Sequence, residues 1–525
     1  RGPIARPLDT RAPTDCLACH AKNVPNHNEL VKLSGNIDPT DVTKNCLSCH
    51  KKEGEAILKT SHWNWHGASP YTVGHEKRTD LGKKTNTINN FCINLSGNWP
   101  RCTSCHIGYG WEDENFDFTD MTKIDCLVCH DTTGKYKKAP PAAGMPVKNL
   151  DLISIAQNVG RPSRDTCGMN CHFMGGGGDA VKHGDMSSHL SSPDKNHDVH
   201  MGVAGGGLDF KCQDCHKTRN HMISGRSISV PAAEGDLSCE YCHTDKPHIG
   251  SELIDHHLNK HTQHIACQTC HIPIYSKKNP TKVYWDWSDA GKDIKPSKDK
   301  YGKPTFDKKK GSFQWKEAVK PEYMWYDGTV KRYLLGDKIN GNGVTELTKP
   351  MGAFNDPSSK IYPFKVHRGK QISDAVHKRL LAPKLWKGYW DHWDWDKASF
   401  DGMKAANMEY SGKHEFVETS MYWGLTHEVV PKEQALSCAE CHASLTKAPY
   451  CGSCHQERPD VDFEALVHKG VDFKALAEQG RDVKALIGKT NYIDYKALGY
   501  DGDPIETGGR FDKLGLGIGK INKKQ

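Results

Sequence analysis

The sequence predicts a fold that is mainly α-helix and irregular loop, with few strands, wound around groups that side chains alone do not supply. Three observations carry that expectation. A unit of the form Cys-x-x-Cys-His recurs ten times and uses 20 of the 21 cysteines. The hydrophobic fraction, 36%, is too low for the roughly three or four side-chain cores that a chain of this length implies. The linkers between successive units are too short for large independent folds. Two thiols followed at once by an imidazole form the attachment unit of a c-type haem. The thiols add to the vinyl groups, and the imidazole is carried under the iron. Ten porphyrins supply the missing apolar interior, so the predicted class is a multihaem cytochrome c wrapped around a haem chain.

Taken in order, the first unit is Cys16, Cys19 and His20. Next come Cys46/Cys49/His50, Cys102/Cys105/His106, Cys126/Cys129/His130 and Cys167/Cys171/His172. They continue with Cys212/Cys215/His216, Cys239/Cys242/His243, Cys267/Cys270/His271 and Cys438/Cys441/His442. The last unit is Cys451, Cys454 and His455. The unit at Cys167 is irregular, with three residues between its thiols. Zinc knuckles and redox dithiols also use paired cysteines. Neither needs a histidine after every second cysteine, and here every unit has one. Cys92 alone has no partner motif.

Residues 1–45 read as an N-terminal extension with the first haem, and 46–290 as a haem-dense core with seven more. Glycine runs at 175–178 and 205–207 are loop signals, expected to allow close backbone approach to haem faces. No unit occurs between Ile272 and Ser437, where nine of the 13 tryptophans lie. Residues 291–437 therefore read as a haem-free, aromatic-rich structural lobe. Helix-like spacing is expected over Phe400–Tyr410 and Tyr422–Leu436. Residues 438–460 carry the ninth and tenth haems, close together. Residues 461–525 form a tail with a short repeat (VDFEALVHKG, VDFKALAEQG), each repeat opening on an Asp placed to cap a helical turn. About ten residues per repeat is too few for a self-supporting array, so the tail must lie on its own haem body or on a neighbouring subunit.

The formal charge of +7 would ordinarily point to nucleic acid or a membrane surface. Haem propionates offset it, so no nucleic-acid partner is expected. No apolar run reaches the length of about 18 residues that a membrane span needs. Haem is attached covalently outside the cytoplasm, so the expected location is periplasmic or extracellular, a secretion signal having been removed.

Ten of the 30 histidines belong to attachment units. The others outnumber the distal ligands that ten low-spin haems require. The choices favoured by context are His62, His183, His200, His221, His248, His261, His264 and His427, with His27 and His468 for the terminal haems. His367, His377, His392 and His414 are expected at the surface.

The blocks NNFC, PRCTSCHIGYGW, DCLVCHDTTG, GGGGDAVKHGD, CQTCHIP, YPFKVHRGKQ and PKEQALSCAECH resemble the octahaem tetrathionate reductase family of c-type cytochromes, over about Asn45 to His442. The resemblance implies reduction of tetrathionate, nitrite or hydroxylamine at one haem whose iron is bound by a lysine. Carried over, that lysine is Lys182, with Asp179, Asn89 and Cys92 as the other pocket residues, at the haem on Cys102/Cys105. The family has eight haems; the two extra units, at Cys16 and Cys451, lie at opposite ends of the chain.

Two functions are weighed at this stage, and the placement of the extra units and the tail favour the first. The first is long-range extracellular electron transfer by a decahaem cytochrome that polymerises head-to-tail with copies of itself into a conductive filament. Its redox partners would be other cytochromes or extracellular acceptors. Unlike surfaces meeting head-to-tail give an open filament unless the rotation closes. The second is a reductase of tetrathionate, nitrite or hydroxylamine at the Lys182 haem.

Overall fold

The computed structural model describes residues 26–91, 93–226, 230, 237–250, 252–442 and 492–515. The expected first attachment unit, Cys16, Cys19 and His20, lies outside the described residues. So does the expected last unit, Cys451, Cys454 and His455. Cys92, His468 and the repeats between 461 and 490 also lie outside them.

Eight attachment units are described, and most fold as one tight turn. Cys212–Cys215, Cys239–His243, Cys267–His271 and Cys438–Cys441 are each a single α-turn. In a helix, residues i, i+3 and i+4 share a side, so a turn sends both sulfurs and the ring the same way. Local caps hold these turns. The Ser238 side chain accepts from the Tyr241 amide, and Ser437 and Glu440 form a reciprocal capping box. At the irregular unit a wider π-turn, Gly168–His172, takes up the extra residue. A Cβ at Gly168 would lie 2.0 Å from the Phe173 ring, so that turn needs glycine. Up to His271 no described α-helix exceeds the ten residues of Glu252–His261. Helices this short are marginal alone and depend on what they enclose.

From Thr281 the architecture changes to a nine-stranded mixed sheet. Its strands are β1 (Thr281–Asp286), β2 (Phe306–Asp307), β3 (Gly311–Lys316), β4 (Glu322–Tyr326) and β5 (Val330–Arg332). β6 (Thr345–Pro350), β7 (Lys360–Asp374), β8 (Arg379–Leu380) and β9 (His414–Gly424) complete it. The order is β2-β3-β1-β7-β9-β6-β5, with β4 and β8 also pairing with β7. β7 is central: antiparallel to β9 from Phe364↔Gly424 to Asp374↔His414, and parallel to β1. It is buried along nearly its whole length, as a strand covered on both faces must be.

The predicted class stands, but strands make up more of the molecule than expected. The expected helix over Tyr422–Leu436 does not form. Residues up to Gly424 belong to β9, and a 3-10 turn at Lys432–Gln434 follows; the long pairing with β7 overrides the local spacing. The helix expected near Phe400 runs from Trp395 to Ala405, with the Asp394 side chain as its N-cap. His367, expected at the surface, is fully buried on β7. Gly205 and Gly206 take left-handed turns, and Gly207 packs against the backbone of Gly202, so this run serves a tight turn rather than a haem face. Residues 492–515 return over the body: Trp325 Nε1 donates to Leu498 O (2.8 Å), and Tyr495 OH donates to Cys441 O (3.0 Å). Among the described residues no helix is long and apolar enough to cross a membrane.

Candidate haem-binding and active site

One connected cavity of about 2800 Å³ is lined by cysteines from all eight described units, well above the roughly 300–1,000 Å³ of an ordinary ligand pocket. In and around it six attachment histidines stand opposite six others. The ring-centroid separations are 6.1 Å for His172 and His62, 6.4 Å for His130 and His221, and 6.0 Å for His243 and His200. They are 6.4 Å for His216 and His427, 6.5 Å for His271 and His248, and 6.3 Å for His442 and His261. Two imidazoles on opposite sides of one metal, each bonded at about 2 Å, put their centroids about 6 Å apart. The spacing suits an iron between each pair. The expected sites on Cys16, Cys19 and His20 and on Cys451, Cys454 and His455 fall outside the described residues, so these pairings concern the eight described units alone.

Hydrogen bonds at the far ring nitrogens support the same reading. Nδ1 of His130 meets Gly160 O at 2.8 Å, and that of His216 meets Ser224 O at 2.9 Å. Nδ1 of His248, His427 and His442 meets Asn259 Oδ1 (3.1 Å), Asp185 Oδ2 (3.2 Å) and Asp503 Oδ1 (2.7 Å). An Nδ1–H engaged in this way fixes the tautomer and leaves Nε2 for a metal. The donor set and the cavity therefore fit haem.

His106 departs from this pattern. Its unit ends in a 3-10 turn, Thr103–Cys105, after which His106 adopts an extended backbone (ψ 142°). The ring swings into a cage of Trp63, Trp65, Trp111, Phe116 and Phe118, with centroids 4.8–6.1 Å away. Its Nε2–H donates to Trp63 O at 2.7 Å, and burial drives its pKa down to about 3. Gly108 makes the room, since a Cβ there would meet Trp63 at 2.7 Å and the His106 ring at 2.9 Å. In this arrangement the nitrogen that His106 would offer an iron meets the Trp63 carbonyl instead.

Lys182 lines the cavity, close enough to Cys105 to act on its charge, as Lys83 and Lys138 also are. Its ammonium lies 5.3 Å from the Trp423 ring centroid, and its chain runs past Gly175, where a Cβ would come within 2.9 Å of Lys182 Cδ. The glycine run 175–178 lines the cavity here. Asn89 lines it too, its Oδ1 accepting from the Phe91 amide at 3.1 Å. Asp179 is drawn aside: its carboxylate accepts from Ser188 N (2.8 Å), Ser188 Oγ (2.6 Å) and Asn279 Nδ2 (2.9 Å). It thus braces the Lys182 loop rather than the cavity wall. His183 is buried edge-on to Trp423 at 5.0 Å. His264 packs edge-on to Phe511 at 5.1 Å, and His27 lines the cavity along with His50.

Contacts between cysteines of different units order the sites. Cys46 touches Cys126, Cys167 touches Cys212, and Cys239 touches Cys267. Cys129 lies near Cys167, Cys215 near Cys242, and Cys270 near Cys438. The line thus runs through the units at Cys46, Cys126, Cys167, Cys212, Cys239, Cys267 and Cys438. The unit at Cys102/Cys105 joins as a side branch, through Cys105 beside Cys171.

Comparisons with known proteins point to the family. Residues 282–445 match a family model described as "Cytochrome c bacterial". The crystal structure of octahaem cytochrome c from Shewanella oneidensis superposes with a TM-score of 0.77 and 43% sequence identity, covering 92% of this chain and 98% of that one. The chain belongs to the octahaem tetrathionate reductase family of c-type cytochromes. It is accordingly a multihaem cytochrome with covalently bound haem c. A comparison with curated proteins finds no match.

Sequence reasoning missed the displacement of His106, the placement of Trp423 against Lys182 and His183 and the buried face of β7. The first had a visible trace: HIGYGW with FDF places glycine and aromatic residues in unusual density around one unit.

Proposed function

We propose that the protein carries ten haems c and reduces a sulfur or nitrogen oxyanion (tetrathionate or nitrite) or hydroxylamine at the haem on Cys102/Cys105. The observation that carries this reading is the displacement of His106: its ring is turned to Trp63 O, while Lys182 stands on the cavity wall near Cys105. Haem bound at this unit supplies the electrons and an iron able to take substrate. Bis-histidine sites close both faces of the iron, so they carry electrons and bind nothing else. Lys182 would hold the iron in place of His106, and Asn89 and Cys92 would meet the substrate. Lys83 adds positive charge near Cys105, which draws an anionic substrate inward; Lys138 is already paired with Asp125.

The test pairs spectroscopy with turnover. Wild-type protein should show one haem whose ligand field differs from the bis-histidine set. Lys182→Ala should abolish that signature together with reduction of tetrathionate, nitrite or hydroxylamine. An unchanged spectrum in Lys182→Ala would remove the basis of the proposal.

A second reading, extracellular conduction through a head-to-tail filament, draws support from the side-branch position of the Cys102 unit. The main line passes it by, so electrons can travel from the Cys46 end to the Cys438 end without visiting the site. The two extra units, one on Cys16, Cys19 and His20 and the other on Cys451, Cys454 and His455, follow in sequence beyond these ends. Electron micrographs of concentrated native protein should then show filaments; single particles alone would leave only the reductase.

A further inference from the structure

Building on the lysine-ligated reading, we infer that one face of β7 is the template that fixes the active-site lysine and Asn89 relative to each other. Side chains two apart on a strand point the same way, and residues 365, 367, 369 and 371 each meet a pocket loop. Lys365 is fully buried. Its ammonium donates to Val181 O (2.9 Å), Lys182 O (3.0 Å) and the Thr281 hydroxyl. An ammonium has three donors, and all three are used. His367, also fully buried, meets Asn90 Oδ1 through Nδ1 at 2.8 Å, and Asn90 Nδ2 donates back to His367 O at 2.8 Å. Gln371 Nε2 donates to Asn89 O at 2.9 Å, and its own oxygen accepts from the Thr419 hydroxyl at 2.8 Å.

Gly369 completes the face. A Cβ there would stand 2.9 Å from Trp285 O on β1 and 3.4 Å from Asn90 Cβ, so glycine is required by the approach of β1, and it also lets the loop bearing Asn90 lie close against the strand. The two loops are far apart in sequence, and the strand lies further on still, yet its hydrogen bonds fall on the backbone carbonyls of Lys182 and Asn89 themselves. A purely structural strand could satisfy its polar groups elsewhere. Here a buried lysine, a costly residue to desolvate, is spent on the main chain of the ligand residue. Lys365 and Gln371 are therefore positioning residues, acting through Lys182 and Asn89 without touching substrate.

The experiment compares Lys365→Met, which keeps volume and removes all three donors, with Gln371→Leu and Lys182→Ala, all in the full haem-loaded chain. Misplacing a reacting group by about 1 Å can cost on the order of 100-fold. Lys365→Met should therefore lower kcat for tetrathionate or nitrite by about 10–100-fold, with KM moved much less. It should also shift the optical and magnetic signature of the one atypical haem while the bis-histidine haems stay as in wild type. Gln371→Leu should do the same to a smaller degree, and keeps the idea testable if Lys365→Met fails to fold. If Lys182→Ala changes the atypical haem but neither β7 variant does, the template is refuted and the lysine-ligated reading survives. If Lys182→Ala changes nothing, both fall.

Discussion

Between residues 26 and 271 no described α-helix exceeds ten residues and no described strand exceeds two, whereas the sheet between 281 and 424 contains one strand of 15 residues and another of 11. The first region surrounds a cavity; the second surrounds its own side chains. A cluster including Trp285, Trp287, Phe313, Leu347, Leu380, Met421 and Trp423 is buried in the sheet region. That cluster also takes in Ile88, Phe91, Ile93 and Val181 from the pocket loops. The contrast teaches where each half finds its apolar interior. In the haem-dense half only small side-chain clusters form, around Leu127 and Ile155 and around Trp63 and Trp111, and short turns present sulfur and imidazole to a large cavity that fits haem. In the sheet half residues make the core, and the site is assembled where loops of the first half lie on strands of the second.

The largest effect follows directly. Chain produced without haem attachment should lose amide protection throughout 26–271, where helices are too short to persist alone. The paired residues 360–374 and 414–424 should retain the most protection. Hydrogen exchange followed by mass spectrometry reads both at once. Equal loss in the two regions would show that the sheet is as dependent on haem as the turns are, and would break the comparison.

That division also explains what the sequence made legible. The attachment units were visible because covalent chemistry demands fixed residues at fixed spacing, and a turn of three or four residues then follows with no tertiary information. Histidines outside the units, such as His62 and His221, had no such spacing; only folding brings them 6.1 Å and 6.4 Å from His172 and His130. β7 was hidden for a different reason. Lys365, His367 and Gln371 interrupt its apolar pattern, and they look like surface residues until their buried partners are known. His106 was hidden by its own motif, which is identical to units whose histidine stays within the turn.

The next effect is confined to the sheet half and depends on pH. Asp374 is fully buried. Burial alone would raise its pKa, but the amides of His377, Ser411 and Val376 and the Ser411 hydroxyl outweigh it and hold the carboxyl at about 2. The folded value is depressed, so the stabilisation is fully present above the unfolded value near 3.8. It is lost as pH falls through about 4 towards 2. One unit corresponds to about 1.4 kcal/mol, so the carboxylate contributes about 2 kcal/mol at neutral pH. Asp374→Asn should lower unfolding stability by about that amount at pH 7 and by little near pH 2, with exchange in β7 and β9 changing most. A loss that persists unchanged to pH 2 would mean that packing, rather than the charge, is what the residue supplies.

The smallest effect tests whether surface charge matters to the same sheet. Arg368 on β7 and Glu322 on β4 make a two-bonded ion pair at 2.6 and 2.7 Å, with both side chains about half exposed (50% and 46%). Its geometry is as favourable as any such pair could offer, yet water screens it and ordering two long side chains costs entropy. Exposed pairs are worth roughly 0–1 kcal/mol. A double-mutant cycle with Arg368→Met and Glu322→Gln should therefore give a coupling below about 1 kcal/mol that shrinks further at about 1 M salt, where the screening length is about 3 Å. A coupling several times larger, or one indifferent to salt, would mean that the β4–β7 seam is drier than its exposure implies. The sheet half would then lean on electrostatics, as the haem-dense half leans on its cofactor.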